Sequence, residues 1–175
     1  MQLTKSMFFT KILFAVFILC LTFSSFALAQ DGLEGRLIDF VLQVYNDYSA
    51  ELFAEVYGVM YPSVHDVLSE EEYVSFQEHH FERLKLAISE IEVGEVTCDP
   101  RLPTTLRKLI SEDDEHTIYG VSLSYRAKFT SGVRFNQEVS KTVYVAVVNY
   151  GLSGEEIYLL WDPSSTQEEE QENGH

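Results

Sequence analysis

At 175 residues the chain suits one domain of ordinary size, and 28 acidic against 12 basic residues give a formal charge of −16. So acidic a chain repels phosphate backbones and anionic lipid surfaces, which argues against nucleic-acid binding. The bland reading of the charge is solubility; a basic partner is allowed but not demanded.

Lys5 and Lys11 precede an apolar run from Ile12 to Phe23, then Ser24-Ser25-Phe26 and Ala27-Leu28-Ala29. A basic start, an apolar middle and an A-x-A ending make an export signal, so residues 1–29 read as a signal peptide cleaved after Ala29. The run is short for a membrane span, which favours cleavage over an uncleaved anchor. Bulky Leu19 before Cys20 argues against a lipoprotein signal. Cleavage leaves Cys98 as the lone cysteine and excludes an intramolecular disulfide. A buried small hydrophobe is the preferred reading of Cys98, ahead of an intermolecular or reactive thiol. Residues 30–163 then form a single exported domain, periplasmic or extracellular.

Leu33, Leu37, Val41, Val44, Tyr48, Leu52, Val56 and Met60 recur every three or four residues. That spacing predicts one long amphipathic helix, stopped at Tyr61-Pro62 because the residue before proline avoids the α region. Ser69-Glu70-Glu71-Glu72 fits a capping box, and Leu68 with Tyr73 sits where a hydrophobic staple would. A second helix is predicted from Ser69 to Ile88, with Tyr73, Phe76, His80, Leu84 and Ala87 facing inward. Ile91, Val93, Val96 and Cys98 read as a strand that changes phase at Gly94 through a β-bulge. Thr104 to Ile110 is ambiguous between short helix and strand.

From Ile118 the period changes to two. Val121, Leu123, Tyr125, Ala127 and Phe129 alternate with Ser122, Ser124, Arg126 and Lys128. Thr130-Ser131-Gly132 suits a hairpin turn. A strand through Val143, Val145 and Val147 then becomes apolar on both faces at Tyr144, Ala146 and Val148. Such a strand is open to water at one end and covered at the other. Gly151 to Gly154 is a second turn, and Ile157, Leu159 and Trp161 form a last strand closed by Asp162-Pro163. Residues 164–175 are polar and acidic and read as a disordered tail. Helices followed by hairpin-joined strands predict an α+β domain.

No G-x-S-x-G, H-E-x-x-H, C-x-x-C or phosphate-binding glycine loop occurs. His79 and His80 are adjacent, so they face different ways on a helix. His80 lies on the apolar stripe and reads first as a core histidine. Asp113, Asp114, Glu115 and His116 lack the glycine and spacing of a calcium loop and read as a solvated turn. No metal or cofactor is expected. Tyrosines are more suggestive, since an apolar body with a polar tip suits pockets and interfaces as well as cores.

The long helix ending in Tyr61-Pro62, the helix from Ser69, and the strands ending in Leu159-Leu160-Trp161-Asp162 resemble the nuclear-transport-factor-2-like superfamily over about Leu33 to Asp162. The resemblance implies a cone: helices packed on a curved, mainly antiparallel sheet, with a pocket between them. Some members are isomerases, dehydratases or cyclases; many only bind ligands or dimerise through the sheet. Enzymes of the group place an Asp–His pair or a lone acid in the cone, and Asp39, Asp47, His65 and His80 are the residues to inspect. The expected pocket is lined by Tyr45, Tyr48, Tyr57, His80, Tyr125, Tyr144 and Trp161. The leading expectation is an exported, non-catalytic domain binding a small apolar ligand or a protein partner, able to dimerise through the sheet. The alternative is a small isomerase- or lyase-type enzyme using His80 or an acid as general base. An acidic scaffold for a basic partner is a third reading.

Overall fold

The structure, a computed structural model, describes residues 32–110, 115–129, 136–151 and 154–164. The signal segment with its cleavage site at Ala29, the turn at Thr130-Ser131-Gly132, Asp113, Asp114 and the tail from 165 onward lie outside the described residues. Two compact units divide the chain at Arg36; of the first, only 32–36 are described. The second unit begins at Leu37 and carries the sheet.

Its class is α+β, with helices followed by an open four-stranded antiparallel sheet. Helix α1 covers 32–49, and Leu37, Val41, Val44 and Tyr45 make its buried row. The expected continuation to Met60 does not occur. Glu51 takes a left-handed φ of 61°, while Glu51 N donates to Tyr48 O and Leu52 N to Asp47 O. That paired closure of the last carbonyls is a Schellman ending. The apolar spacing carries across the break because α2, Phe53–Gly58, buries Phe53, Val56 and Tyr57 on its own account. Residues Val59 to Tyr61 then run beside the last strand, with Leu159 N donating to Val59 O and Tyr61 N to Leu159 O. Pro62 opens α3, Pro62–His65, where its missing N–H costs nothing.

Helix α4, Glu70–Leu84, begins with the expected capping box: Ser69 Oγ accepts from Glu72 N at 3.3 Å and Ser69 N donates to the Glu72 carboxylate at 3.0 Å. Ser69 Oγ also donates to the Glu72 carboxylate at 2.6 Å, and this bond, with the one from Ser69 N, holds that carboxyl below its usual range. Lys85, at φ 47°, ends the helix earlier than expected, so Leu86 to Ile88 belong to a strand. The buried row is Tyr73, Gln77 and Phe81, one position away from the expected Phe76 and His80.

The strands are β1, Leu86–Cys98; β2, His116–Phe129; β3, Gln137–Asn149; and β4, Glu155–Leu159, paired in that order. Register shifts in β1 fall between Ser89 and Glu92 and between Val93 and Val96, the second at Gly94 as expected. Cys98, expected to be buried, is exposed because β1 is an edge strand and Cys98 its last residue.

Pairing Val121 with Val143 and Leu123 with Lys141 puts these side chains on one face, toward the helices. Ser122, Ser124, Ser140 and Thr142 occupy the other. That second face is polar at one end and buried at the other, where Ile118, Ala146 and Val148 lie. Pro100 closes over it. A Cβ added at Gly120 would stand 3.3 Å from Pro100 and 3.0 Å from Thr142, so any side chain there requires those neighbours to give by a few tenths of an ångström. The ambiguous segment beyond is a short helix, α5, Thr104–Arg107, burying Leu106.

Candidate binding site

Between the helices and the sheet lies a layer of touching rings. Tyr48, near the end of α1, is its hub. Its ring centroid is 5.2 Å from Phe81, 5.6 Å from Phe53, 6.0 Å from Tyr45 and 6.4 Å from Trp161. Phe53 and Phe81 meet edge to face at 5.1 Å, the arrangement that ring quadrupoles favour. Tyr45 reaches Tyr125 on β2 at 6.0 Å, and Trp161 meets Tyr73 at 5.4 Å. Three helices, β2 and the segment after β4 thus each contribute to one layer.

Polar tips make this layer unlike an ordinary core. Tyr48 Oη donates to Gln77 Oε1 at 2.9 Å, and Gln77 is only 2 % exposed. Tyr73 Oη and Trp161 Nε1 are buried and have no hydrogen-bond partner among the described residues. Leaving such a group unpaired costs about 1–3 kcal/mol. Burial raises the pKa of Tyr45, Tyr48, Tyr73 and Tyr125, and the neighbouring phenols Tyr125, Tyr48 and Tyr73 raise that of Tyr45 further. These hydroxyls therefore remain protonated at working pH and act as donors or acceptors, not as bases.

At the rim of the layer stands Lys141 of β3, its Nζ 5.0 Å from the centroid of the Tyr45 ring and 5.7 Å from that of Tyr125. Its surface is exposed, yet the surrounding protein desolvates the ammonium enough to lower its pKa.

Of the residues expected in the pocket, the structure brings Tyr45, Tyr48, Tyr125 and Trp161 into this layer. Tyr57 adjoins it through Tyr73 at 5.9 Å, but its hydroxyl is tied to Leu68 O at 2.7 Å. His80 stacks on Phe76 at 6.0 Å, off the buried row of α4. Tyr144 pairs with Gly120 and so stands on the opposite face of the sheet. Asp39 is exposed, Asp47 accepts from Gln43, and His65 stacks on Tyr57 at 4.5 Å. The helical spacing marks Tyr73 only as part of a packed stripe. Gln77 and Lys141 carry no signal in the sequence, being polar letters at the right spacing.

A separate hollow of about 480 Å³ lies on the other face of the sheet, bordered by Glu92, Gly94, Ser122, Ser124, Ser140 and Thr142. It exists because Gly94, Ser122, Ser124, Ser140 and Thr142 carry short side chains or none. No group of three or more His, Cys, Asp or Glu among the described residues is placed to hold a metal ion. No protein-family model matches the chain, and no curated protein and no solved structure matches it either.

Proposed function

We propose that the chain is an exported, non-catalytic binding domain that takes a small, largely apolar ligand against its tyrosine-rich layer. The observation that carries this reading is the pair of buried, unpartnered groups Tyr73 Oη and Trp161 Nε1. Packing alone would be served by phenylalanine at 73, without the cost of burying a lone hydroxyl. A ligand carbonyl or hydroxyl admitted to the layer would satisfy such a group, and the rings would supply its apolar contacts. The order of helices then antiparallel sheet supports a place in the nuclear-transport-factor-2-like superfamily, whose members carry a pocket between those layers. The non-catalytic half of the reading rests on chemistry: the layer's phenols stay protonated, and His80 sits on another row of α4.

Trp161 is the only tryptophan, so its fluorescence reports this layer directly. Native mass spectrometry of the protein purified from its own host, followed by ligand extraction, is the test. A retained small molecule whose removal shifts the Trp161 emission, and which binds Tyr73→Phe more weakly, is the expected result. A bare protein whose Trp161 emission no apolar compound moves would sink the reading.

The hollow on the polar sheet face favours a second reading, docking of a protein partner or of a second copy through that face. Substituting Ser124→Arg would then abolish the association while leaving Trp161 emission unchanged.

A further inference from the structure

The charge pattern at the rim of the ring layer narrows the ligand class. Lys141 is a cation in a chain with 28 acidic residues, yet no carboxylate among the described residues is within ion-pair reach of it. Arg126, on the opposite face, does have such a partner, Glu90 at 2.9 Å. The cross-strand neighbour of Lys141 is Leu123, which is buried. Its ammonium instead rests over the rings of Tyr45 and Tyr125. Neither of those phenols hydrogen-bonds to a described residue. The layer behind them holds two buried groups with no partner among the described residues, Tyr73 Oη and Trp161 Nε1. One acceptor there, Gln77 Oε1, is already taken by Tyr48.

The phenols can donate or accept, but the Trp161 indole N–H and the Lys141 ammonium can only donate, and Lys141 is positive. An aromatic face attracts a cation but replaces only part of its lost hydration. An anion placed beside it gives a charge-assisted hydrogen bond, about twice as strong as a neutral one. Building on the proposed binding function, we infer that the ligand carries an anionic head, most simply a carboxylate, which Lys141 receives at the rim while the apolar body lies against Tyr45 and Tyr125. The lowered pKa of Lys141 accords with an ammonium short of compensation.

The test compares one apolar body with two heads: 4-phenylbutanoate and its neutral amide, titrated into the full chain with Trp161 emission and thermal unfolding as readouts. The unaltered protein is expected to bind the acid about tenfold more tightly than the amide, with a preference that shrinks as salt rises. Lys141→Met should bring the two affinities together, and Lys141→Arg should keep the preference, which controls for folding. Equal binding of acid and amide by the unaltered protein, or a preference that survives in Lys141→Met, overturns the inference and leaves the proposed binding function standing. Failure of both probes to bind overturns the two together.

Discussion

Tyr57 and Tyr73 lie with ring centroids 5.9 Å apart, and they are buried to a similar degree, 8 % and 0 % exposed. Their hydroxyls differ. Tyr57 Oη donates to Leu68 O, and its own carbonyl meets His65 Nε2 at 3.0 Å. Tyr73 Oη meets nothing among the described residues. Around Tyr57, toward Met60, Tyr61 and Val64, the interior is apolar or its polar groups are tied. Around Tyr73 and Trp161 the same interior carries two buried polar groups with no partner among the described residues. Burial therefore does not separate these two tyrosines; hydrogen-bond satisfaction does.

Substitutions on the two sides should separate them. The largest effect belongs to Phe81→Ala, which removes a ring that packs against both Phe53 and Tyr48. A loss of about 3–5 kcal/mol is expected in urea unfolding followed by Trp161 emission. A loss under about 1 kcal/mol would mean that the ring layer is loosely packed and the contrast with the apolar end is overstated. Next comes Tyr57→Phe, which strands the buried Leu68 carbonyl and should cost about 1–3 kcal/mol. Tyr73→Phe should go the other way. It removes an unpaired group, so stability should hold or rise by up to about 1 kcal/mol, while ligand affinity falls. Equal losses from Tyr57→Phe and Tyr73→Phe would erase the comparison and indicate an ordered water on Tyr73.

That contrast explains what could be read from the sequence. Alternation in β2 and β3 and the Ser69 capping box are local patterns, and both appear where their residues predict. The hidden features depend on geometry between elements. Gln77 occupies the centre of the α4 row at i+4 from Tyr73 and i−4 from Phe81, but a polar letter there shifts the apparent stripe toward Phe76 and His80. Tyr125 and Tyr144 each sit in an apolar set of their own strand. Only the register, which pairs Gly120 with Tyr144, shows that they stand on opposite faces. The breaks at Glu51 and Lys85 use left-handed backbone without glycine, so no letter announces them. Lys141 reads as any strand lysine until α1 brings Tyr45, and β2 brings Tyr125, beside it.

The smallest predicted effect concerns what holds Trp161 in place. Asp162, the next residue, accepts from Thr105 Oγ1 at 2.6 Å and from Ser164 N and Oγ at 3.0 and 2.6 Å. Burial alone would raise its pKa, but these bonds hold the carboxyl below its ordinary value. A folded-state pKa below the unfolded one means that the unfolded chain binds the proton more readily as pH falls. The stabilisation is therefore complete above the ordinary carboxylate range and disappears as pH drops through the lowered folded value. For a half-exposed group, screened by solvent, it should amount to less than about 1 kcal/mol. Asp162→Asn should flatten that part of the stability–pH curve, since the amide does not titrate there while its oxygen can still accept from Thr105. An unchanged acid limb would assign the acid sensitivity to other carboxylates, with Glu72 and its bonds to Ser69 the first to examine.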